Sequence, residues 1–450
     1  MSSQSQIGDH PIYDVRELPL AKTLLLGVQH CFAMFGATIL VPLLTGLDIS
    51  TTLFMAGAGT LLFHLITGGK VPSFLGSSFA FLGGYAAVAP MIDGKPNLER
   101  LPYASGGIVV AGLFYFLLAL LIYFFGVKRV MRFFPPVVTG PIIISIGLIL
   151  SPTAITSASQ NWTLALIALA VVIACNIWGK GMIKIIPIIM GLAISYIAAL
   201  ILKQVDFTAY YHELESGKLF VLPFKQEMFA KFDLSSIIAI APISLATMME
   251  HIGDISAIGA TTGKNFIKDP GLHRTLIGDG LATSLAAFFG GPANTTYGEN
   301  TGVLALSKVY DPLVTRIAAI FAIILSFFPA LSSLIQTIPT AIIGGISLIL
   351  YGMISAIGVR NLVENQVDFT QSRNLIVAAS ILVCALGFSS TGGVSFPLFG
   401  SEIELSGLAL AALVGIGLNA ILPGKDYVFL EDEPQDTGVN FSGTDTEPLA

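Results

Sequence analysis

The chain has 450 residues, of which 54% are hydrophobic and only 11% are charged, with a formal net charge of −6. A soluble domain carries roughly 25% charged residues, so this composition excludes a soluble enzyme, a nucleic-acid-binding protein and a secreted domain held together by disulfides. It predicts an all-α polytopic membrane protein, because about 20 apolar residues suffice for one transmembrane helix.

Apolar stretches bounded by charged residues predict fourteen transmembrane spans. The N-terminal tail 1–19 is polar, and the apolar stretch after it is too long for the hydrophobic region of a signal peptide. Seven spans fill a first half, 20–203, near 20–44, 51–68, 77–91, 105–127, 134–151, 162–178 and 184–202. After a polar extracellular loop, 204–233, seven more fill a second half, 234–422, near 235–258, 273–291, 295–307, 313–335, 338–357, 374–391 and 405–422. The segment 423–450 is acidic and rich in Gly, Pro and Thr, which predicts a disordered acidic cytoplasmic tail.

The distribution of basic residues predicts the orientation of these spans. If both termini are cytoplasmic, sixteen of the 22 Lys and Arg residues fall on the cytoplasmic side and six on the outer side. This excess follows the positive-inside rule. We therefore expect a multi-pass protein with both termini in the cytoplasm.

The two halves resemble each other. Pro135 and Gly140 in the fifth span match Pro339 and Gly344 in the twelfth, both at an offset of 204 residues. The third span of each half is also too short for a regular crossing of a ~30 Å hydrocarbon core. Because seven spans is an odd number, the second copy would have inverted topology, as in many secondary transporters. Chance similarity between apolar helices remains the alternative.

Two acidic residues lie in the eighth span. Glu250 and Asp254 are four residues apart, so they share one face of a helix. Two carboxylates this close in a low dielectric do not both stay ionised at low cost, which makes the pair a candidate proton carrier. For Asp254 the alternative is a solvated residue at the end of the span.

A third acidic residue, Glu299, lies in a polar stretch at the start of the short tenth span, and the third span begins similarly with Leu75–Phe81. Both stretches favour extended structure, so each short span is predicted to begin as a strand and continue as a half-helix. The half-helix would offer free backbone N–H groups at mid-membrane. Carboxylates beside such donors suit a small, planar, neutral ligand such as a nucleobase. Phe79 could stack on that ligand or be an ordinary core residue.

The remaining polar residues in apolar stretches favour structural interpretations. A single buried histidine such as His30 or His251 is more typical of a hydrogen-bonded core residue, and Asp279 indicates a helix start or a core polar contact. Tyr351 is more typical of packing than of ligand binding. The cysteines lie in apolar stretches and do not predict a metal or redox site: Cys31, Cys175 and Cys384. We predict no cofactor.

Five motifs resemble bacterial uracil permeases of the nucleobase–ascorbate transporter family: Gln29–Thr38, Leu75–Phe81, Glu250–Gly253, Asp269–Arg274 and Asn294–Asn300. The resemblance implies fourteen spans in two inverted repeats, with two short antiparallel strands in spans 3 and 10. It implies a core domain (spans 1–4 and 8–11) that moves against a gate domain (spans 5–7 and 12–14). It further implies uracil uptake coupled to protons in a bacterial plasma membrane, by a protein that contacts lipid and forms a homodimer.

The same motifs imply roles for individual residues. Glu250 and Glu299 would hydrogen-bond the base, Phe79 would contribute its backbone and ring, and Gly298 its N–H. Further candidates for substrate binding are Ala37, Ser78, Tyr297 and Tyr351; the candidates for proton coupling are Glu250, Asp254 and His30.

One position departs from the uracil pattern. Where that pattern has a histidine four residues after the glutamate, this chain has Asp254, as in the xanthine and purine branch. That branch, in turn, tends to have Gln-Asn where this chain has Glu299 and Asn300. A xanthine or broader nucleobase–proton symporter is therefore the alternative. An anion transporter of the same architecture would need a positively charged site. A membrane enzyme would need a catalytic pattern, and the sequence contains no paired metal ligands and no nucleophile elbow.

Overall fold

The computed structural model describes residues 10–92, 95–398 and 401–424. The helices in these ranges are α1 (Leu20–Thr45), α2 (Ile49–Ile66), α3 (Leu82–Val88), α4 (Leu101–Phe125), α5 (Val127–Met131), α6 (Pro136–Ser159), α7 (Trp162–Trp178), α8 (Met182–Ile185), α9 (Pro187–Ile201), α10 (Thr208–Glu215), α11 (Leu234–Ile240), α12 (Ser244–Thr262), α13 (Leu272–Phe288), α14 (Gly298–Ser307), α15 (Pro312–Ser326), α16 (Pro329–Gln336), α17 (Thr340–Glu364), α18 (Ser372–Ser390) and α19 (Gly407–Ile421). Four short strands complete the list: β1 (Leu75–Ser77), β2 (Asn294–Thr296), β3 (Val394–Leu398) and β4 (Ser401–Leu405).

The fourteen predicted spans all coincide with helical elements, which confirms the predicted fold class. Seven helical segments are long and apolar enough to cross a membrane by themselves: α1, α2, α4, α6, the α11–α12 pair, α17 and α18. The helices α7, α9 and α19 are apolar but shorter. The short third and tenth spans are strand-plus-helix units, β1–α3 and β2–α14.

Three further predicted spans differ from a single straight helix, and each break lies at a proline. The span predicted at 313–335 is two helices, α15 and α16, bent by 84°, with Pro329 opening the second. Pro187 similarly opens α9 after α8, and Pro242 lies in a 3-10 turn between α11 and α12. Proline lacks the N–H of a continuing helix and clashes with the preceding turn, so hydropathy predicts the extent of these spans but not their bends.

The tight connection between α1 and α2 depends on a glycine and an aspartate. Gly46 has φ of 83°, and its N–H donates to the Pro42 carbonyl at 2.8 Å, which ends α1. A left-handed φ of this kind is readily adopted by glycine. Asp48 then accepts the Thr51 N–H at 2.8 Å and begins α2.

The helices pack in two groups. In the first, α13 contacts α2 and α4, and α15 contacts α1 and α2; in the second, α6 contacts α17 and α18, α7 contacts α9 and α17, and α18 contacts α19. The outward faces are apolar: α4 exposes Leu113, Leu117 and Leu120. Such faces suit lipid, since a water-soluble surface rarely has large contiguous apolar patches.

Part of the predicted N-terminal tail packs against the protein. Ile12 forms a parallel bridge with Val309, and the Val15 N–H donates to the Asp311 carboxylate at 2.9 Å. This segment therefore covers the connection between α14 and α15. The predicted acidic tail lies, from residue 425 onward, outside the described residues.

Candidate functional site

Two short strands meet in the interior of the first helix group. β1 and β2 are antiparallel, with Leu75 opposite Thr296 and Ser77 opposite Asn294, as predicted for spans 3 and 10. Asn294 anchors the crossing, because its side-chain amide donates to the Met55 carbonyl of α2 at 2.8 Å. The strands thereby hold the beginnings of α3 and α14 inside the protein.

The helix α14 begins directly after this crossing. Gly298 is its first residue and Glu299 lies in its first turn. The first N–H groups of a helix have no acceptor within the helix, and this end of the helix carries a partial positive charge. Gly298 and Glu299 both line a cavity beside the strands, so these donors border it.

The cavity is polar and nearly closed. Its lining combines residues of both strand–helix units with two carboxylates of α12: Ser77, Phe79, Glu250, Asp254, Thr295, Thr296, Tyr297, Gly298 and Glu299. The free space within it is about 10 Å³, close to what one water molecule needs. A larger ligand would fit only after the walls move apart.

Asp254 lies in this wall, where it is hydrogen-bonded to a residue of strand β2. Its side chain accepts the Thr296 hydroxyl at 2.9 Å and is 2% exposed. The alternative of a solvated aspartate at a span end is therefore wrong. Glu250 lies one turn earlier on the same face and is half-buried, as the four-residue spacing predicts.

A second buried polar group lies behind the cavity wall. His251 Nδ1 is 3.6 Å from Asp279 Oδ2 and 3.4 Å from the Thr296 hydroxyl. Asp279 is in the interior of α13 and fully buried, so it is a core polar contact and not a helix start. Neither side chain lines the cavity. The grouping joins three separate elements, and no local sequence pattern predicts it.

Tyr297 lies against the crossing from the other side. Its hydroxyl donates to the Ser77 carbonyl at 2.9 Å and is 3.3 Å from the Thr38 hydroxyl. Its ring occupies the space beside Gly76, where a Cβ atom would lie 2.5 Å from the ring carbons. The phenol is therefore held in place by β1.

Four predicted site residues lie outside the cavity wall. Ala37 is fully buried in the apolar core, and Ser78 is 1% exposed with its N–H bonded to a backbone carbonyl at 2.8 Å. Tyr351 is 2% exposed on α17. His30 is fully buried and lies 3.1 Å from the Asn300 side-chain amide, which joins α1 to α14.

The described residues contain no group of three or more His, Cys, Asp or Glu side chains suited to a metal ion. Cys31 and Cys175 are buried and Cys384 is half-buried, all as free thiols, in agreement with the prediction of core residues.

The sequence of this chain matches a family model described as "Permease family" over residues 21–392. The chain belongs to this family. It is 39% identical to the uracil permease of Bacillus caldolyticus, over 92% of this chain and 95% of that protein. It is 40% identical to a probable uracil permease of Pasteurella multocida, with coverage of 92% and 96%. The uracil permease of Bacillus subtilis is 39% identical, with coverage of 88% and 91%.

Solved structures resemble the fold. The transmembrane domain of a cyanobacterium bicarbonate transporter, BicA, superposes with a TM-score of 0.63 at 17% identity, covering 86% of this chain and 99% of that chain. The murine anion transporter Slc26a9, in an inward-facing state, gives a TM-score of 0.61 at 12% identity, covering 93% and 69%. At these identities the comparison shows a common fold.

Proposed function

We propose that this chain is a uracil permease that imports uracil together with protons across the bacterial plasma membrane. The observation that carries the proposal is the closed cavity where Glu250 and Glu299 lie beside the first N–H groups of α14. The names of the relatives described above supply the substrate.

The lining matches the hydrogen-bonding edges of a pyrimidine base. Ring N–H groups of uracil would donate to the carboxylates of Glu250 and Glu299, and its carbonyl oxygens would accept from the N–H groups of Gly298 and Glu299. Phe79, which lines the same cavity and is 7% exposed, would cover one face of the base. A neutral planar ligand uses every one of these groups.

The charge of the cavity supports coupling to protons. Three carboxylates line it, Glu250, Asp254 and Glu299, and the described lining contains no Lys or Arg. Three ionised carboxylates around one small cavity would repel each other strongly in a low dielectric. A proton that enters with uracil would relieve this repulsion and leave on the cytoplasmic side. Glu250 and Asp254 are the first candidates to carry it, and His30 is the third.

Two packed bodies support a mechanism by relative movement. We define the core domain as α1–α4 with α11–α16, and the gate domain as α6–α9 with α17–α19. The most extensive helix contacts lie within these bodies, and the contacts between them are fewer. Motion of one against the other would let a base enter a cavity that is too small in the present state.

Packing also supports the inverted repeat. Some helix contacts recur when each span is replaced by its counterpart in the other half: α4 on α13 matches α15 on α2, and α7 on α9 matches α18 on α19. The antiparallel β1–β2 crossing lies where the two copies meet. If both termini are cytoplasmic, the two repeats would be residues 20–203 and 234–422. The homodimer remains a prediction.

The decisive experiment is uptake of radiolabelled uracil into proteoliposomes, with and without an inward proton gradient. We expect accumulation that a protonophore abolishes. Replacing a charged acceptor by a neutral amide oxygen weakens a hydrogen bond by about 1–1.5 kcal/mol, or about five- to tenfold in affinity, so Glu250→Gln and Glu299→Gln should each lose that much. Glu215→Gln, at an exposed position, is the matched control. Gradient-independent uptake, or wild-type accumulation by Glu250→Gln, would contradict the proposal.

Two alternatives predict different results in the same assay. A xanthine or broader nucleobase symporter, which Asp254 favours, predicts that excess xanthine blocks uracil uptake. An anion transporter, as the fold neighbours are named, predicts substrate-independent currents; the acidic lining of the cavity disfavours it.

A further inference from the structure

A narrow crevice leads away from the site between the core and gate domains. Gly36 of α1 and Glu299 of α14 line it on the core side, and Asn176, Lys184 and Ile188 line it on the gate side. Its free space is about 30 Å³, too little for a nucleobase. Glu299 lines both this crevice and the site cavity, so the crevice begins at the proposed substrate site.

The other side of the domain boundary is wider. A cavity of about 510 Å³ lies between α3 of the core domain and α6, α18 and α19 of the gate domain. It reaches Ala80, the neighbour of Phe79 in the site. In this state the boundary is therefore open on one side of the site and nearly closed on the other.

A close contact between the domains lies in the narrow crevice. A Cβ atom on Gly36 would be 2.7 Å from Ile188 Cγ2 and 3.0 Å from Ile188 Cβ. Because Ile188 Cβ is itself this near, a change of side-chain rotamer would not relieve the overlap. Ile188 lies in the first turn of α9, just after the break at Ile186 where α8 ends. The break presents this branched side chain to Gly36 of α1, which has no side chain to oppose it.

We infer that this crevice is the cytoplasmic half of the substrate path and that Ile188 against Gly36 is its closed gate. The inference rests on the proposed transport function. Substrate leaving Glu299 must cross the domain boundary, and Asn176 and Lys184 contribute two polar side chains to the otherwise largely apolar gate-domain wall of the crevice. Lys184 belongs to the predicted cytoplasmic set of basic residues. Separation of α1 from α9 would open the path without any change in the β1–β2 crossing.

The test uses cysteine labelling, which needs no substrate. Asn176→Cys is introduced after Cys31, Cys175 and Cys384 are replaced by serine, and a membrane-impermeant maleimide is applied to inside-out or right-side-out vesicles. Overpacking of a tight contact disfavours the closed state by about five- to thirtyfold. Gly36→Ala should therefore raise the labelling rate by this factor, from the cytoplasmic side only.

Two further variants control for local damage. Adding Ile188→Gly to Gly36→Ala removes both opposing atoms, Cγ2 and Cβ, and should return labelling to the parent rate. Gly417→Ala, where a Cβ would meet nothing within 4 Å, should leave the rate unchanged. An unchanged rate in Gly36→Ala, an increase only from the outer side, or an increase that Ile188→Gly does not reverse would each overturn the inference.

Uptake measured in parallel separates this inference from the proposed function. Uracil uptake without the labelling response would reject the gate alone. The labelling response without uracil uptake would support the gate and reject uracil as the cargo.

Discussion

The buried pair formed by His30 and Asn300 provides a quantitative test of how α14 is held. Both residues are at most 1% exposed, and the Asn300 amide donates to His30 Nδ1 at 3.1 Å and to the His30 carbonyl at 3.0 Å. Asn300→Leu keeps a similar side-chain shape but leaves the imidazole nitrogen without a partner. An unsatisfied buried acceptor costs about 1–3 kcal/mol. Because Asn300 follows Glu299 in the first turn of α14, we expect lower stability and weaker uracil binding.

A double variant of His30 and Asn300 decides whether loss of the hydrogen bond causes the loss of stability. Replacing both partners of a buried hydrogen bond by apolar groups can be nearly neutral, so His30→Leu with Asn300→Leu should recover most of the loss. The assay is thermal inactivation of radiolabelled uracil binding in detergent. The reasoning would be refuted if Asn300→Leu had the same thermal stability as the parent. It would also be refuted if the double variant lost as much stability as the two single variants together.

The same double variant tests His30 as a proton carrier. His30 lies outside the site cavity and contacts Asn300. If the double variant binds uracil and still accumulates it in response to a proton gradient, His30 is not required for coupling. Binding without gradient-driven accumulation would assign the proton to His30.

Other substitutions test the packing around the site. Gly280→Ala should destabilise the protein by about 1–3 kcal/mol, because the new Cβ would lie 2.5 Å from a side chain of α4. Gly387→Ala is the control and should leave the stability unchanged, because its Cβ would meet nothing within 4 Å. Thermal unfolding of both variants in detergent measures the difference. Arg100→Gln should lower the free energy of unfolding by at most about 1 kcal/mol. The ion pair that it removes, with Asp233 at 3.3 Å, is partly exposed: 41% of the Arg100 side chain and 30% of the Asp233 side chain. The loss should be smaller still in high salt. Tyr297→Phe removes the donor to the β1 carbonyl at 2.9 Å and should lower uracil affinity by about fivefold, as measured by equilibrium binding.

Hydropathy and local spacing predict a large part of this molecule. The apolar stretches place fourteen helical elements, and the extended character of Leu75–Phe81 and Asn294–Asn300 predicts the two strands. The spacing of Glu250 and Asp254 predicts their common face. Each of these features depends on neighbours within a few residues, which is the range over which a sequence pattern is direct evidence.

The contacts that complete the site are of a different kind. Thr296 and Asp254 are 42 positions apart, and Asn300 and His30 are 270 apart. Whether such residues meet depends on how helices cross, and apolar stretches alone do not encode that angle. The 84° bend between α15 and α16 is an intermediate case, since Pro329 marks the break but not its direction.

The architecture and the chemistry of the proposed site are separable. The fold neighbours are named for bicarbonate and anion transport, and a helix N-terminus such as that of α14 attracts negative charge. In this chain, however, three acidic side chains surround that N-terminus: Glu250, Asp254 and Glu299. Their charge opposes an anion, while their oxygens accept the N–H groups of a neutral base. We therefore propose that the fold supplies free N–H groups at the start of α14, and that these three side chains select a neutral cargo.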